Sequence, residues 1–348
     1  MQIQHALAAV ALVFGVALTA PAPAPASAAD QEDAQLEAFR QEFEAGMAAY
    51  KAGRPAEGLR QMERAAVPLM IAETRGVQAL PESFSEKEAR GFQMSLAFGG
   101  LNGWRKGLIS IYLRHGCYGK ALDLAERDLF LLDKVPEAHG GEKMRMSYLY
   151  RDTLRYLRAA NQGLGRLDRA IEIQDRVVRA DRAYGRRRHV AAQGLLDLAL
   201  LHRDAGDLAA ARGFAGEARA AYEAEWSEQP PHERRKRWIE IRLRAAEGDQ
   251  EAERADLEQR LAQAREAGTL DKQGRIFGYT SLAEVYDDLG EIEKRDGALA
   301  EALPPLLDPA PVTSENLPGV ARRAAALLRK AGRTAEAEKL AEAYRLCP

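Results

Sequence analysis

The stretch "LLHRDAGDLAAARGFA", residues 200–215, contains two short amphipathic segments that meet at Gly206. The same arrangement returns at a constant interval of 42 residues, around Gly248, Gly290 and Gly332. Glycine readily adopts the left-handed backbone conformation with which a chain leaves a helix. The flanking apolar residues recur at three-and-four spacing, which is typical of amphipathic helices. The sequence therefore predicts a series of helical hairpins with a glycine at each turn.

The repeat extends towards the N-terminus with less regular spacing. Comparable turns occur at Gly53, Gly116 and Gly165, and the longer intervals indicate insertions near residues 68–103 and 133–142. Five residues after the turn glycine, most repeats hold a small residue that lets the two helices approach: Gly58, Ala121, Ala170, Ala211 and Ala337. The exceptions are Glu253 and Arg295, and we expect these two hairpins to be opened or shifted by one residue.

The run "Tyr112-x-x-x-Gly116-x-Tyr118-x-x-Ala121" resembles the turn and small-residue positions of the tetratricopeptide repeat (TPR) family. The resemblance covers roughly residues 34–346 and is closest to a long-period variant of about 42 residues. It implies an all-α, right-handed superhelical solenoid of about seven helical hairpins, forming a single domain over residues 30–348. It also implies a concave surface that is lined by the first helix of each hairpin and binds other proteins.

The first 29 residues carry no acidic residue, lysine or arginine, and their apolar run spans Ala6 to Ala20. Small residues follow, so we expect a signal peptide over residues 1–29 that is cleaved after Ala28 or Ala29. The protein would then be periplasmic or secreted, without a membrane span in the mature chain. Residues 1–5 lack lysine and arginine, so an uncleaved anchor stays open as the alternative.

The two cysteines, Cys117 and Cys347, lie several repeats apart. A disulfide requires Cα atoms within about 7 Å. In a linear stack of hairpins that distance would be exceeded, so we expect two free thiols, with Cys347 able to pair between chains.

Familiar catalytic and metal-binding patterns are missing from the sequence. The six histidines show no zinc-ligand spacing, and neither an HExxH motif nor a phosphate loop occurs. The 50 lysines and arginines nearly balance the 52 acidic residues, which gives no overall electrostatic case for nucleic-acid binding. We therefore predict no catalytic residue, metal or cofactor, and a scaffold rather than an enzyme.

In proteins that resemble this one, the concave surface is built by residues thirteen, ten, six, three and two before the turn glycine. The basic residues at those places are the predicted partner-binding set: Lys106, Arg114, Arg155, Arg203, Arg235 and Arg242. The Gly290 repeat instead holds acids, Glu284, Asp287 and Asp288, and the last repeat is basic again, with Arg322, Arg329 and Lys330.

Such a banded surface would orient an extended protein segment whose carboxylates face the arginines. An anionic cell-envelope polysaccharide is the alternative partner, because solenoids that resemble this one serve in exopolysaccharide assembly. Glycan binding predicts exposed aromatics beside arginines, and the few aromatics at groove positions favour a protein partner: Phe43, Tyr50, Trp238 and Phe277. The basic runs "RADRAYGRRRH" (179–189) and "HERRKRW" (232–238) could bind an anionic glycan, a phospholipid surface or an acidic protein. Ordinary solvated charges are the remaining interpretation of these residues.

Overall fold

The computed structural model describes residues 28–52, 54, 57–66, 100–133, 148–183, 188–228, 230–308 and 316–347. Its secondary structure is helical, and no strand occurs in these ranges. The fourteen helices are α1 (Ala28–Lys51), α2 (57–66), α3 (Gly100–His115), α4 (Tyr118–Asp133), α5 (Tyr148–Gly163), α6 (Leu167–Ala183), α7 (Arg188–Asp204), α8 (Leu208–Glu228), α9 (Glu233–Ala246), α10 (Gln250–Glu266), α11 (Lys272–Asp288), α12 (Ile292–Leu307), α13 (Leu317–Lys330) and α14 (Thr334–Tyr344).

The predicted turn glycines separate the two helices of each hairpin. All six described ones have positive φ, between 72° and 95°: Gly116, Gly165, Gly206, Gly248, Gly290 and Gly332. The next residue donates its N–H back to the carbonyl four residues before the glycine, as in Asp207 N to His202 O at 2.9 Å. This bond satisfies a carbonyl that the helix end would leave unpaired. The hairpin prediction is confirmed for these six turns, whereas Gly53 lies outside the described residues.

The small residues after the turns are buried at the helix contacts. Ala121, Ala170, Ala211 and Ala337 have no exposed surface, and a Cβ on Gly58 would overlap the backbone near Gly46 and Tyr50. These contacts are possible because the side chains are small, and a larger group would force the helices apart.

The expected one-residue shift does not occur in the Gly248 and Gly290 hairpins. In both, the first helix ends two residues before the glycine and the second begins two residues after it, as in the Gly206 hairpin. The two helices of the Gly248 hairpin do pack less closely than those of the Gly206 hairpin, so this hairpin is opened as expected, whereas the Gly290 hairpin is closely packed. At the Gly290 turn the long side chain is accommodated by an ion pair. Arg295 is buried, and its Nη1 lies 2.9 Å from Asp287 Oδ1 across the turn. The guanidinium thus fills the hairpin contact that alanine fills elsewhere.

The chain forms two compact units. Unit 1 contains residues 1–111 and 123–153, and unit 2 contains residues 112–122 and 154–348. Within unit 1, Arg105 Nε and Asp128 Oδ1 form a buried ion pair at 2.9 Å. Burial raises the pKa of Asp128, and the nearby Arg105 charge partly offsets that rise.

Unit 2 holds two apolar cores between its stacked hairpins. One is formed mainly by α7, α8 and α9 and includes Leu196 and Tyr222. The other is formed by helices α11 to α14 and includes Leu299 and Leu328. Each hairpin therefore buries its apolar face against neighbouring hairpins, as a repeat of this kind requires.

The expectation of two free thiols is also wrong. Cys117 and Cys347 form a disulfide across 230 residues of sequence, with their Cα atoms 5.1 Å apart. Both belong to unit 2, so the beginning and the end of this unit meet. A linear stack would not allow this contact, and the error lay in treating the repeats as linear.

Several sequence predictions fall on residues that are not described. Residues 1–27, which hold most of the expected signal peptide, and most of the two insertions lie outside the described residues. The described parts of the insertions are helical, since residues 100–103 begin α3 and Asp133 ends α4. None of the described helices has both the length and the apolar character that crossing a bilayer requires.

Candidate functional site: the first-helix face of unit 2

The first helices of successive hairpins in unit 2 share one surface, which we call the first-helix face. It is formed by α5, α7, α9, α11 and α13. Polar contacts join neighbouring first helices along it. Gln162 of α5 donates to Asp204 of α7 at 3.3 Å, and Arg323 of α13 donates to Glu284 of α11 at 2.6 Å. The sequence prediction that these helices line a common surface agrees with these contacts.

Charges on helices that are not neighbours also act on each other across this face. Arg158 of α5 is affected by Arg242 of α9, and Asp288 of α11 is affected by Arg203 of α7. In a superhelical stack of hairpins such charges lie on the inner surface, so we expect the first-helix face of unit 2 to be concave.

Arginines of two hairpins lie near one carboxylate, that of Asp197 on the hairpin between them. We call Arg155, Arg158 and Arg242 the arginine cluster. Among the described residues, the cluster makes one ion pair, between Arg242 Nη2 and Asp197 Oδ1 at 3.6 Å. The same Oδ1 accepts a 2.8 Å hydrogen bond from Gln193. Asp197 is thus already engaged. Its single negative charge cannot neutralise the three positive charges of the cluster.

Arg158 is the least compensated member of the cluster. Its Nε is buried without a hydrogen-bond partner, and within the described residues its side chain makes no ion pair. Burial lowers the pKa of Arg158, and the charges of Arg155 and Arg242 lower it further against the opposing effect of Asp197. Arg155 is half-buried and likewise makes no hydrogen bond or ion pair in the described part of the chain.

A tyrosine hydroxyl belongs to the same network. Tyr222 of α8 donates to Gln193 Oε1 at 3.1 Å. Burial raises the pKa of Tyr222 to about 12, and the Asp197 carboxylate adds to that rise. The hydroxyl therefore stays protonated, and it fixes the orientation of the Gln193 amide that holds Asp197.

An acidic region adjoins the arginine cluster. Burial raises the pKa of Glu253, and the Arg203 and Arg242 charges act in the opposite direction. Desolvation also raises the pKa of Asp288 and that of Glu284. Glu284 accepts a hydrogen bond from Arg323, whose charge opposes this rise. Within the described residues, neither Glu253 nor Asp288 makes a hydrogen bond or ion pair through its side chain.

Only some of the predicted partner-binding residues lie in or beside the arginine cluster and the acidic region. Arg155 and Arg242 belong to the cluster, and Arg203 lies beside the acidic region, with its guanidinium bound to Asp204 at 2.6 Å. Arg235 is exposed at the start of α9 and makes no side-chain pair among the described residues. Arg114 is half-buried near the end of α3, and Lys106 lies in unit 1, where its Nζ is 2.9 Å from Asp152.

The sequence reasoning missed Arg158, Asp197 and Glu253. Arg158 lies seven residues before Gly165, which is not one of the expected lining positions. Glu253 had been noticed only as a misfit at a small-residue position. A charged residue at a position that normally holds alanine was the available signal for a polar lining of the first-helix face.

Described arginines of both basic runs at the hairpin junctions make local ion pairs. Arg179 lies 2.8 Å from Asp175, and Arg237 lies 2.6 Å from Asp256. The second run has an exposed aromatic neighbour: Trp238 is 44% exposed, with the Arg242 guanidinium 4.9 Å from its ring centre. Among the described side chains, no group of three or more histidines, cysteines or acids is placed to bind a metal ion.

The regular glycine turns, buried small residues and shared first-helix face define a TPR-like helical repeat protein. No family model matches the sequence, and no curated protein matches it significantly. Among solved structures, the chain is similar to a kinesin light chain candidate from Podosopora anserina with nearly identical TPR-like repeats. That match has 15% identity and a TM-score of 0.29, over 69% of this chain and 92% of the other.

Two further matches to TPR-like structures have similarly low sequence identities and TM-scores. The TPR2AB domain of yeast Sti1, in its complex with pHSP90, has 14% identity and a TM-score of 0.30, over 71% of this chain and 90% of the other. BtubC (BKLC) from P. vanneervenii has 12% identity and a TM-score of 0.27, over 88% of this chain and 90% of the other. At such values these similarities add nothing to the architecture that the coordinates themselves show.

Proposed function

We propose that this protein is a non-enzymatic exported scaffold that binds an extended segment of another protein on the first-helix face. The observation that carries the proposal is the arginine cluster, in which the Nε atom of the half-buried Arg158 is buried without a hydrogen-bond partner and Asp197 is already engaged. A charge that is partly removed from water and lacks a counter-charge destabilises the fold. A protein that keeps such a charge on its first-helix face is prepared for a ligand that supplies the counter-charge.

The chemistry of the ligand follows from the charges. Guanidinium groups bind carboxylates through two parallel hydrogen bonds, so aspartate or glutamate side chains match Arg155 and Arg158. Lysine or arginine of the same segment would match Glu253 and Asp288, which have no side-chain partner in the described part of the chain. The expected ligand is therefore a segment with an acidic block followed by a basic block.

Export rests on two independent features. The apolar N-terminal run with its small-residue cleavage positions is typical of a secretory signal. The Cys117–Cys347 disulfide supports the same assignment, because disulfides persist in exported proteins and are rare in reducing compartments.

Trp238 supports a second candidate ligand, an anionic polysaccharide. The ring is 44% exposed and lies beside Arg242. Arg235, which makes no side-chain pair among the described residues, lies about one helical turn earlier. An aromatic ring can stack on a sugar while the arginines pair with uronate carboxylates. In this alternative, Trp238→Ala abolishes binding of a uronate oligosaccharide, and the block peptide described next does not bind.

The proposal is tested with a fluorescein-labelled peptide that has a glutamate block followed by a lysine block. A peptide with the same residues in alternation is the ligand control, since the two have equal net charge. We expect the block peptide to bind, and Arg155→Glu or Arg242→Glu to weaken binding about tenfold or more, as lost charge pairs at an interface do.

The matched control variant is Arg179→Glu, which reverses an exposed arginine on the second helix α6. It should leave the dissociation constant of the block peptide unchanged. If reversals on the first-helix face and on α6 act alike, or if the alternating peptide binds equally well, the proposed site is wrong.

A further inference from the structure

The segment 112–122 joins the two ends of unit 2. The Tyr118 ring packs so closely against Gly163, at the end of α5, that no side chain would fit there. The guanidinium carbon of Arg322, on α13, lies 5.3 Å from the centre of the same ring. One aromatic ring therefore separates the first complete hairpin of unit 2 from its last hairpin.

The C-terminal residues close this junction. Cys347 is bonded to Cys117 through the disulfide, and its N–H donates to His115 O at 2.9 Å. His115 Nδ1 lies 3.3 Å from Arg345 O, just after the end of α14. We call the segments 112–122 and 345–347, with the disulfide, the latch.

The disulfide is the strongest component of the latch. The backbone hydrogen bond, the histidine–carbonyl contact and the arginine–tyrosine contact are each individually weak. Without the covalent bond, these contacts would have to hold the chain end in place by themselves. Loss of the disulfide is therefore expected to let the junction open.

The latch lies next to the acidic region of the first-helix face. Arg322, which packs on Tyr118, also lowers the pKa of Glu284 against the effect of burial. Arg323, the next residue, is the hydrogen-bond partner of Glu284. A segment lying along the first-helix face would therefore reach the latch at its basic end.

We propose that the Cys117–Cys347 disulfide gates access to the first-helix face, holding a bound segment in the oxidised protein and admitting or releasing it in the reduced protein. This inference rests on the proposed function, because it concerns the same ligand. While the disulfide joins the two ends of unit 2, an extended segment can reach the first-helix face only by threading between them. After the disulfide is reduced, the segment can enter from the side. The gate should therefore change the rates of binding more than the affinity.

The chemistry of opening is thiol–disulfide exchange with a dithiol reductant. Cys347 is partly exposed and Cys117 is buried, so an attacking thiolate reaches the Cys347 sulfur first and Cys117 leaves as the thiolate. The second thiol of the reductant then releases Cys347. The two cysteines gain two electrons and two protons, and the reductant becomes the disulfide.

The test measures association and dissociation of the block peptide by stopped-flow fluorescence. The three proteins are the oxidised chain, the chain reduced with dithiothreitol, and the variant Cys117→Ser/Cys347→Ser. We expect both rate constants to be about tenfold higher or more in the two open forms, since a required conformational step slows association. The dissociation constant should change much less. Helical circular dichroism checks that each form is folded, and dithiothreitol added to the double variant should have no further effect.

Equal rate constants in the oxidised and open forms, with binding present in all three, would overturn the gate and leave the proposed function standing. Absence of block-peptide binding in every folded form would overturn both proposals.

Discussion

Replacing Arg158 by methionine separates a ligand site from a structural arginine, because the two roles predict opposite changes in stability. The Nε of Arg158 is buried without a hydrogen-bond partner, and the nearest other charges include two more arginines. Methionine has a similar length and no charge, so it keeps most of the packing and removes the desolvation cost. Asp197 keeps Gln193 and Arg242 as partners in the variant.

The expected magnitude follows from comparable replacements. Exchanging buried ionic groups for apolar ones of similar volume stabilises proteins by 1–4 kcal/mol, and we expect about 2 kcal/mol here. Unit 2 has about 200 residues, and for a unit of that size 1 kcal/mol corresponds to roughly 2–4 °C in Tm. Arg158→Met should therefore raise Tm by about 4–8 °C. The same variant should weaken binding of the block peptide about tenfold or more, since an arginine–carboxylate pair is lost.

Thermal and urea unfolding followed by circular dichroism give the stability, and fluorescence anisotropy gives the affinity. Arg179→Met is the matched control, because Arg179 is exposed and its pair with Asp175 lies on the helix surface. That change should alter stability by no more than about 0.5 kcal/mol. A fall in Tm for Arg158→Met would refute the reasoning, since it would mean that the guanidinium stabilises the fold. Unchanged peptide binding would refute the ligand role.

Two further predictions concern the latch and the N-terminus. Burial lowers the pKa of His115, so the folded protein favours the neutral ring. In the oxidised protein, the contribution of His115 to stability should be full above its ordinary pKa of about 6.5 and should fall as the pH drops below it. Melting temperatures measured against pH test this, and a profile that His115→Gln leaves unaltered would contradict it. Intact-mass measurement of the exported protein should show a chain that begins after Ala28 or Ala29, and a retained Met1 would contradict cleavage.

The hairpins could be predicted from the sequence because their determinants are local. A glycine that must adopt positive φ and an alanine at a close helix contact each occupy a fixed place relative to the turn, as Gly206 and Ala211 show. Arg295 was misinterpreted because its size was considered without its charge. Asp287, eight residues earlier and across the same turn, was the signal that this position holds an ion pair.

The latch and the arginine cluster depend on geometry that no single repeat contains. Small rotations between successive hairpins add up along unit 2, and only their sum brings Cys117 to Cys347. The charges of Asp197 on α7 and Arg242 on α9 similarly act on Arg158 only because the hairpins pack together. The spacing of residues along the chain predicts neither the contact between the cysteines nor the surroundings of Arg158. It does predict that Arg155 and Arg242 lie on first helices.

The latch and the unneutralised charges of the first-helix face are physically connected. In a repeat stack each hairpin is stabilised by its neighbours, so the two terminal hairpins are the weakest. The disulfide gives the last hairpin a partner at the start of unit 2, and closing a loop of 230 residues reduces the entropy of the unfolded chain by an amount worth about 5 kcal/mol. A stack of hairpins stabilised in this way tolerates the poorly compensated charges of Arg158 and Glu253. Without the disulfide, the terminal hairpins would separate and water would reach these side chains. The disulfide thus helps to keep these charges partly dehydrated.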